Sequence, residues 1–400
     1  MKWTVILAVL CGAIAVVIAS RSPEKTPSLI LCNTCPPGFE LMADNTCKLR
    51  TPYQQYESQD GNDPGVGGLK TALPLVRDGF TPQQIDLGRY LFFDPALSKD
   101  GTVSCASCHQ PAKGFSDGLK TSVGVQNTSL KRSAPSLWNV AFYKKFFWDA
   151  RATSLEAQMT GPLYAENEMG TTREKLLETI NGIDSYRELF RQAFPSKTTS
   201  VVELNDIYTA IAAFESSLIS LNSRYDQYAH GYADALNKKE IEGLNIFRSF
   251  VARCAECHTP PLFTNQQVAV IGLGEPDGLP LDPGAQETFQ DASLRGAFKV
   301  PSLRNIERTA PYTHAGKFSS LREMIAFYSA GRGHDVPKNE KLHIHWHIWE
   351  PQLTAYEMDR LVDFLKTLTD ESFTPPVPQT LPSGMRTEQS TQQPRLSINH

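Results

Sequence analysis

One phrase is written twice in this chain. Residues 104–111 read SCASCHQP and residues 253–260 read RCAECHTP: two cysteines separated by two residues, then a histidine. The copies stand roughly 150 residues apart, about one domain length. Cysteines at this spacing lie one helical turn apart, and each can form a thioether bond to a vinyl group of haem. The adjacent histidine then swings beneath the ring and ligates the iron. The pattern demands two units, each closed around a planar macrocycle. Cys105, Cys108, Cys254 and Cys257 become attachment points, and His109 and His258 become proximal ligands. Two other chemistries use such pairs. A four-cysteine zinc site shared between halves does not require a histidine after both second cysteines. A pair of thioredoxin-like redox sites needs a βαβ setting, and strand signals here are few.

Covalent haem attachment fits an exported protein, and the N-terminus agrees. Residues 3–19, WTVILAVLCGAIAVVIA, form a long apolar run behind Lys2. It reads as a secretory leader cleaved near Ser20 or as an uncleaved inner-membrane anchor. Either places the rest of the chain in the periplasm or otherwise outside the cytoplasm, with membrane contact only if the run is retained. The net charge of −4 gives no reason to expect a nucleic-acid partner. Cys32, Cys35 and Cys47 lie outside the leader and the repeated phrase. Three is odd, so one disulfide and one unpaired thiol is the simplest arrangement, and an oxidising compartment favours it.

Helical signals dominate the remainder. TPQQIDLGRYLFFDP at 81–95 has Thr81 as N-cap and Pro82 at the first helical position. TTREKLLETINGI, ELNDIYTAIAAFESSLISL, KKEIEGLNIFRSF and LREMIAFYSAG carry apolar residues at helical spacing. LTAYEMDRLVDFLKTL at 353–368 has Thr354 as N-cap. Residues 57–68 are polar and Gly-rich, a linker, and the Pro-rich residues 373–400 read as a disordered tail. The fold class is mostly α with long loops.

Each iron needs a group, or a gap, on its other side. The histidines are His109, His230, His258, His314, His334, His343, His345, His347 and His400, so none lies between His109 and His230. The loop after the first motif cannot supply a second imidazole. The first site therefore keeps an open position, where small-molecule chemistry would occur.

FFWDARATSLEAQMTGPLYAENEMG at 146–170 and FKVPSLRNIERTAPYTHAGKFSSLREMIAFYSAG at 298–331 resemble the bacterial di-haem cytochrome c peroxidase family, which includes the MauG-like enzymes. The resemblance spans roughly residues 70–370, about two domains. It implies two cytochrome c-like domains with one covalent haem c each. The first, peroxidatic domain would occupy 69–236 and the second, electron-transfer domain 237–372. Residues 1–20 would be the leader, and 21–68 a cysteine-containing segment and linker. Glu168 matches the family's distal glutamate, which can relay a proton between peroxide oxygens as base and then acid; Glu166 nearby is the reminder that such a carboxylate can also be a surface group. Gln158 matches a distal glutamine, and Trp148 the tryptophan between the haems. The position of the second haem's distal ligand falls on Tyr328, with Met324 one helical turn earlier and His314 as alternatives. A phenolate lowers the iron potential and a thioether raises it. Val125 stands where many members carry a histidine that blocks the first iron.

The resemblance also implies a calcium ion between the domains, held by Thr309 and the Pro311 carbonyl. The usual asparagine of that site is Ser133 here. The alternating tract HIHWH puts His343, His345 and His347 on one side of an extended segment, where copper or zinc could bind; a solvated or structural role is the simpler reading. The expected function is reduction of hydrogen peroxide with electrons from a small periplasmic cytochrome c or cupredoxin. A MauG-like oxidation of residues of a partner protein is the alternative. A pure electron-transfer di-haem cytochrome would need both irons six-coordinate.

Overall fold

Two crossed helix pairs organise the molecule, and a glycine makes each crossing possible. In the computed structural model, which describes residues 29–51, 53 and 73–387, helix Pro82–Phe93 packs along Leu204–Ser216, and Lys238–Phe247 packs along Ala355–Lys366. A Cβ on Gly88 would lie 1.8 Å from the Ala210 carbonyl oxygen, and one on Gly243 would lie 2.0 Å from that of Arg360. The backbones touch there, so any side chain would force the pairs apart. Thr81 and Thr354 cap their helices as expected, each in a capping box, with Gln84 and Glu357 respectively, and Pro82 opens the first.

The duplication runs beyond the cysteine motifs. Each is followed by a one-turn segment, then by Phe115 or Phe263, buried and left-handed at φ 60° and 55°. Next comes APSLWN at 134–139 or VPSLRN at 300–305. Ser136 donates to the Gly114 carbonyl (2.7 Å) and Ser302 to that of Leu262 (2.6 Å). Asn139 and Asn305 are both left-handed, and their N–H groups bond Leu218 and Leu368. Ser154 and Ser320 then cap helices Leu155–Tyr164 and Leu321–Ala330. At matching offsets from these caps, Trp148 pairs with His314, Gln158 with Met324, and Pro162 with Tyr328.

The two halves meet through exchanged backbone bonds. Ser133 N–H donates to the His314 carbonyl (2.7 Å), and Lys299 N–H donates to that of Trp148 (2.6 Å). Arg132 adds ion pairs to Asp149 (2.7 Å) and Asp282 (2.8 Å). Among the described residues, strand is confined to two short antiparallel pairs, Phe39–Leu41 with Cys47–Leu49 and Val268–Val270 with Ala297–Lys299.

Packing crosses the expected divisions in three places. Tyr225 and Ala229 pack in the second core, ahead of the expected division at 237. The N-terminal segment is packed against both halves: Cys47 sits against Ile85 and Ala213, and the Tyr53 hydroxyl donates to Asp226, which also holds the fully buried Arg304 (2.7 Å). Residues 373–387 are not a loose tail. Phe373, Val377 and Leu381 pack on Phe92, Phe93 and Trp138, and Ser383 donates to Asp94 (2.8 Å). Their apolar residues are few and irregularly spaced, so no periodic signal marked them. Residues 1–28 and 54–72, which hold the leader and the linker, and 388–400 lie outside the described residues. No helix among the described residues is long and apolar enough to cross a membrane.

Candidate active site

Cys35 and Cys47 form a disulfide, while Cys32 is an exposed thiol, as the odd count required. Cys105, Cys108, Cys254 and Cys257 are thiols. Each pair spans its one-turn helix, and the next residue caps that helix: His109 N–H donates to the Cys105 carbonyl and His258 N–H to that of Cys254, both at 2.9 Å.

The imidazoles are oriented alike. His109 Nδ1–H donates to the Phe115 carbonyl (2.9 Å); His258 Nδ1 lies against the carbonyls of Phe263 (3.2 Å) and Pro301 (3.1 Å). Fixing the proton on Nδ1 leaves Nε2 as the nitrogen able to bind a metal. Burial favours the neutral rings, lowering His109 and taking His258 down to about 4. Burial raises the Cys105 and Cys254 thiols, Cys254 to about 12. Two thiols beside a neutral, oriented imidazole fit a covalently attached haem in each half.

The second motif opens into a cavity of ≈ 250 Å³, lined by Cys254, Cys257, His258, Met324 and Tyr328, with Trp148 among the residues the first half contributes. Burial raises the Tyr328 phenol, and the charges of Cys257 and Cys254 add to this; Tyr328 lines the same cavity as the motif. His314 also lines the cavity, but its Nε2 is bound to Glu275 (2.9 Å) and its ring is stacked on Phe298 at 3.7 Å. That nitrogen is already used.

Around the first motif, Val125 is buried, and its N–H donates to the Glu168 carbonyl (2.8 Å). A Cβ on Gly124 would lie 2.0 Å from the Asn167 carbonyl oxygen, so this loop is pressed onto the Asn167–Glu168 turn. Burial raises the Glu168 carboxyl, and the Arg151 guanidinium partly offsets this. Glu168 is half-buried and Glu166 exposed, which separates the two candidates. Gln158 is half-buried on the preceding helix. Pro162, at the offset where the second half has Tyr328, carries no ligating atom. His230 is engaged by other groups: its Nδ1 bonds the Asp226 carbonyl (2.6 Å), and its ring abuts Tyr53.

Trp148 touches both halves, through Nε1–H to the Ser133 carbonyl (2.9 Å) and its own carbonyl to Lys299. Thr309 and Pro311 line the cavity, while the Ser133 hydroxyl donates to the Thr313 carbonyl (2.9 Å). The HIHWH tract is not one continuous face. His343 is exposed, whereas His345 and His347 turn into the cavity wall with rings 4.9 Å apart. Among the described residues no group of three His, Cys, Asp or Glu side chains is placed to hold a metal ion.

Sequence reasoning missed two buried groups. Glu215 lies near Cys105 with one carboxyl oxygen lacking any hydrogen bond, and burial raises it to about 8. Lys299 stands in the second cavity wall. Aligning SAPSLWN with KVPSLRN would have exposed Lys299 as the counterpart of Ser133.

A helical chain with two such thiol–imidazole sites belongs to the haem-dependent oxidoreductases. A family model described as di-haem cytochrome c peroxidase matches residues 82–234. The chain is 35% identical over 299 residues to the methylamine utilization protein MauG of Methylorubrum extorquens, covering 75% of this chain and 82% of that protein. It is 34% identical over 295 residues to the cytochrome c551 peroxidase of Nitrosomonas europaea, covering 73% and 82%. The crystal structure of a MauG-like protein associated with microbial copper homeostasis superposes with a TM-score of 0.68 at 31% identity, over 78% of this chain and 96% of that one. The chain belongs to the di-haem cytochrome c peroxidase family and is an oxidoreductase acting on peroxide, with haem c as its cofactor.

Proposed function

We propose that hydrogen peroxide is reduced beside His109 and that electrons reach this site from the second half through Trp148. The observation that carries the reading is the pairing of Val125 with Glu168: a buried residue that cannot bind iron is hydrogen-bonded through its backbone N–H to the main-chain carbonyl of a residue whose side chain is half-buried. Bound haem would supply an iron that exchanges single electrons and cleaves the O–O bond. Cys105, Cys108 and His109 would hold one haem, and Cys254, Cys257 and His258 the other. Glu168 takes a proton from one peroxide oxygen and returns it to the leaving one. Gln158 donates a hydrogen bond that orients the peroxide. Trp148, bonded to both halves, shortens the electron path.

Tyr328 would hold the second haem in preference to Met324, because a phenol oxygen that lines the cavity shared with the cysteine pair is lifted out of solvent there. This favours a second reading, in which the oxidising equivalents act on residues of a partner protein, since a phenolate stabilises higher oxidation states. Export is supported by the apolar N-terminal run and by the Cys35–Cys47 disulfide. A calcium ion at Thr309 and the Pro311 carbonyl rests on family resemblance, and the engaged Ser133 hydroxyl weakens it.

Haem staining after denaturing electrophoresis tests attachment, and Cys257→Ala should weaken the band. Peroxide consumption is then followed with a reduced small cytochrome c or cupredoxin. Donor-dependent turnover supports the peroxidase reading. Peroxide-dependent modification of a co-purifying protein without donor turnover supports the second. A colourless, zinc-containing protein overturns both.

A further inference from the structure

We propose that Lys299 forms a carboxylate-binding subsite in the wall of the second cavity, where its ammonium pairs with a propionate of the haem held there and raises that haem's reduction potential. The proposal rests on the haem reading above and adds a residue role to it.

Lys299 ends strand Ala297–Lys299 and is only 9% exposed. A buried ammonium is costly unless it is paired. No carboxylate of the described residues forms an ion pair or hydrogen bond with it. Its one neighbour of note is the ring of Tyr143, whose centroid lies 5.0 Å from Nζ, a weak partner for a full charge. Burial pulls its pKa down to about 8.

The cavity has the matching asymmetry. Lys299 and Arg253 line it, and no Asp or Glu does. Its wall thus includes two basic residues and no carboxylate to offset them. The internal repeat shows that this charge is not demanded by the fold: the equivalent position in the first half is Ser133, which makes the same exchanged backbone bond. The side chain is thus free to serve the ligand while the backbone serves the interface. A fixed positive charge beside a haem favours the reduced, more negative state.

The test uses the full-length holoprotein and its Lys299→Met and Lys299→Arg variants. Covalent haem is first counted by pyridine haemochrome, and both haems are then titrated potentiometrically. Lys299→Met should lower the second haem's potential, changing its reduction equilibrium on the order of tenfold, the scale of one buried charge acting across a protein interior. Lys299→Arg should stay close to the parent. If Lys299→Met loses the second haem while Lys299→Arg retains it, the charge is needed for capture, which also supports the subsite. An unchanged potential in Lys299→Met, or an equal shift in both variants, overturns the subsite and leaves the haem reading standing. A parent protein without covalent haem removes the haem reading, and the subsite with it.

Discussion

Glu168→Gln separates proton transfer from everything else this residue does. The backbone roles survive the substitution: the 168 carbonyl still accepts from Val125 N–H (2.8 Å), and its N–H still donates to the Ala165 carbonyl (2.9 Å). Shape is nearly kept, so the turn that holds Val125 should not move. What is lost is a carboxylate able to take and return a proton. Relays of this kind contribute about 10²–10⁴ in rate, or about 3–5 kcal/mol of barrier. Burial fixes where the loss becomes visible. Because the folded carboxyl titrates above the ordinary glutamate range, the parent's rate should fall as pH drops through that raised value. Above it the base form dominates and the gap to the variant is widest; below it the two converge. Stopped-flow mixing with peroxide, following haem absorption from pH 4 to 8, measures both curves. The variant should be slow and flat. A parent-like rate at pH 8, with both haems retained, would remove Glu168 from the mechanism.

Other outcomes follow from the same geometry. Tyr328→Phe should change the spin state of the second haem and raise its potential, while Met324→Leu leaves both nearly alone; electron paramagnetic resonance and redox titration decide, and the reverse pattern assigns Met324. The fully oxidised protein should be high-spin at the first haem and react with peroxide without prior reduction, because Val125 is buried there and His230 is bound to Asp226. Two low-spin signals and no reaction before a reductant is added would refute this. Gly243→Ala should cost about 1–3 kcal/mol or more by overpacking, since its Cβ would sit 2.0 Å from a carbonyl oxygen, whereas Gly182→Ala, with nothing within 4 Å, should be neutral or slightly stabilising. Thermal melts of the two variants should differ by several degrees.

Chemistry that depends on residue type and local spacing was legible directly. Cys-x-x-Cys-His needs only one helical turn to bring its groups together, so the motif specified its own geometry wherever it occurred. Helix caps are equally local, and Thr81 and Thr354 act as read. The odd cysteine count foretold one disulfide and one thiol, with the pairing left for the structure to make.

Other features depend on which surfaces meet. The return of residues 373–387 to the first half has no periodic signature, because it rests on scattered contacts of Phe373, Val377 and Leu381 with an aromatic cluster. The histidine tract alternates in sequence, yet His343 is exposed while His345 and His347, on either side of Trp346 at a turn, line the cavity. Histidine spacing could not say that the His314 nitrogen is taken, since Glu275 reaches it from a distant loop. Nor could composition mark Lys299 as special among the lysines, because burial is a property of the packed neighbours and not of the residue. The sequence by itself determined two Cys-x-x-Cys-His motifs, the orientation of their groups over one helical turn, and a largely helical chain. Only the tertiary structure decided which side chains share a cavity and which charges lose their solvent, because those depend on two halves closing against each other through the carbonyls of Trp148 and His314.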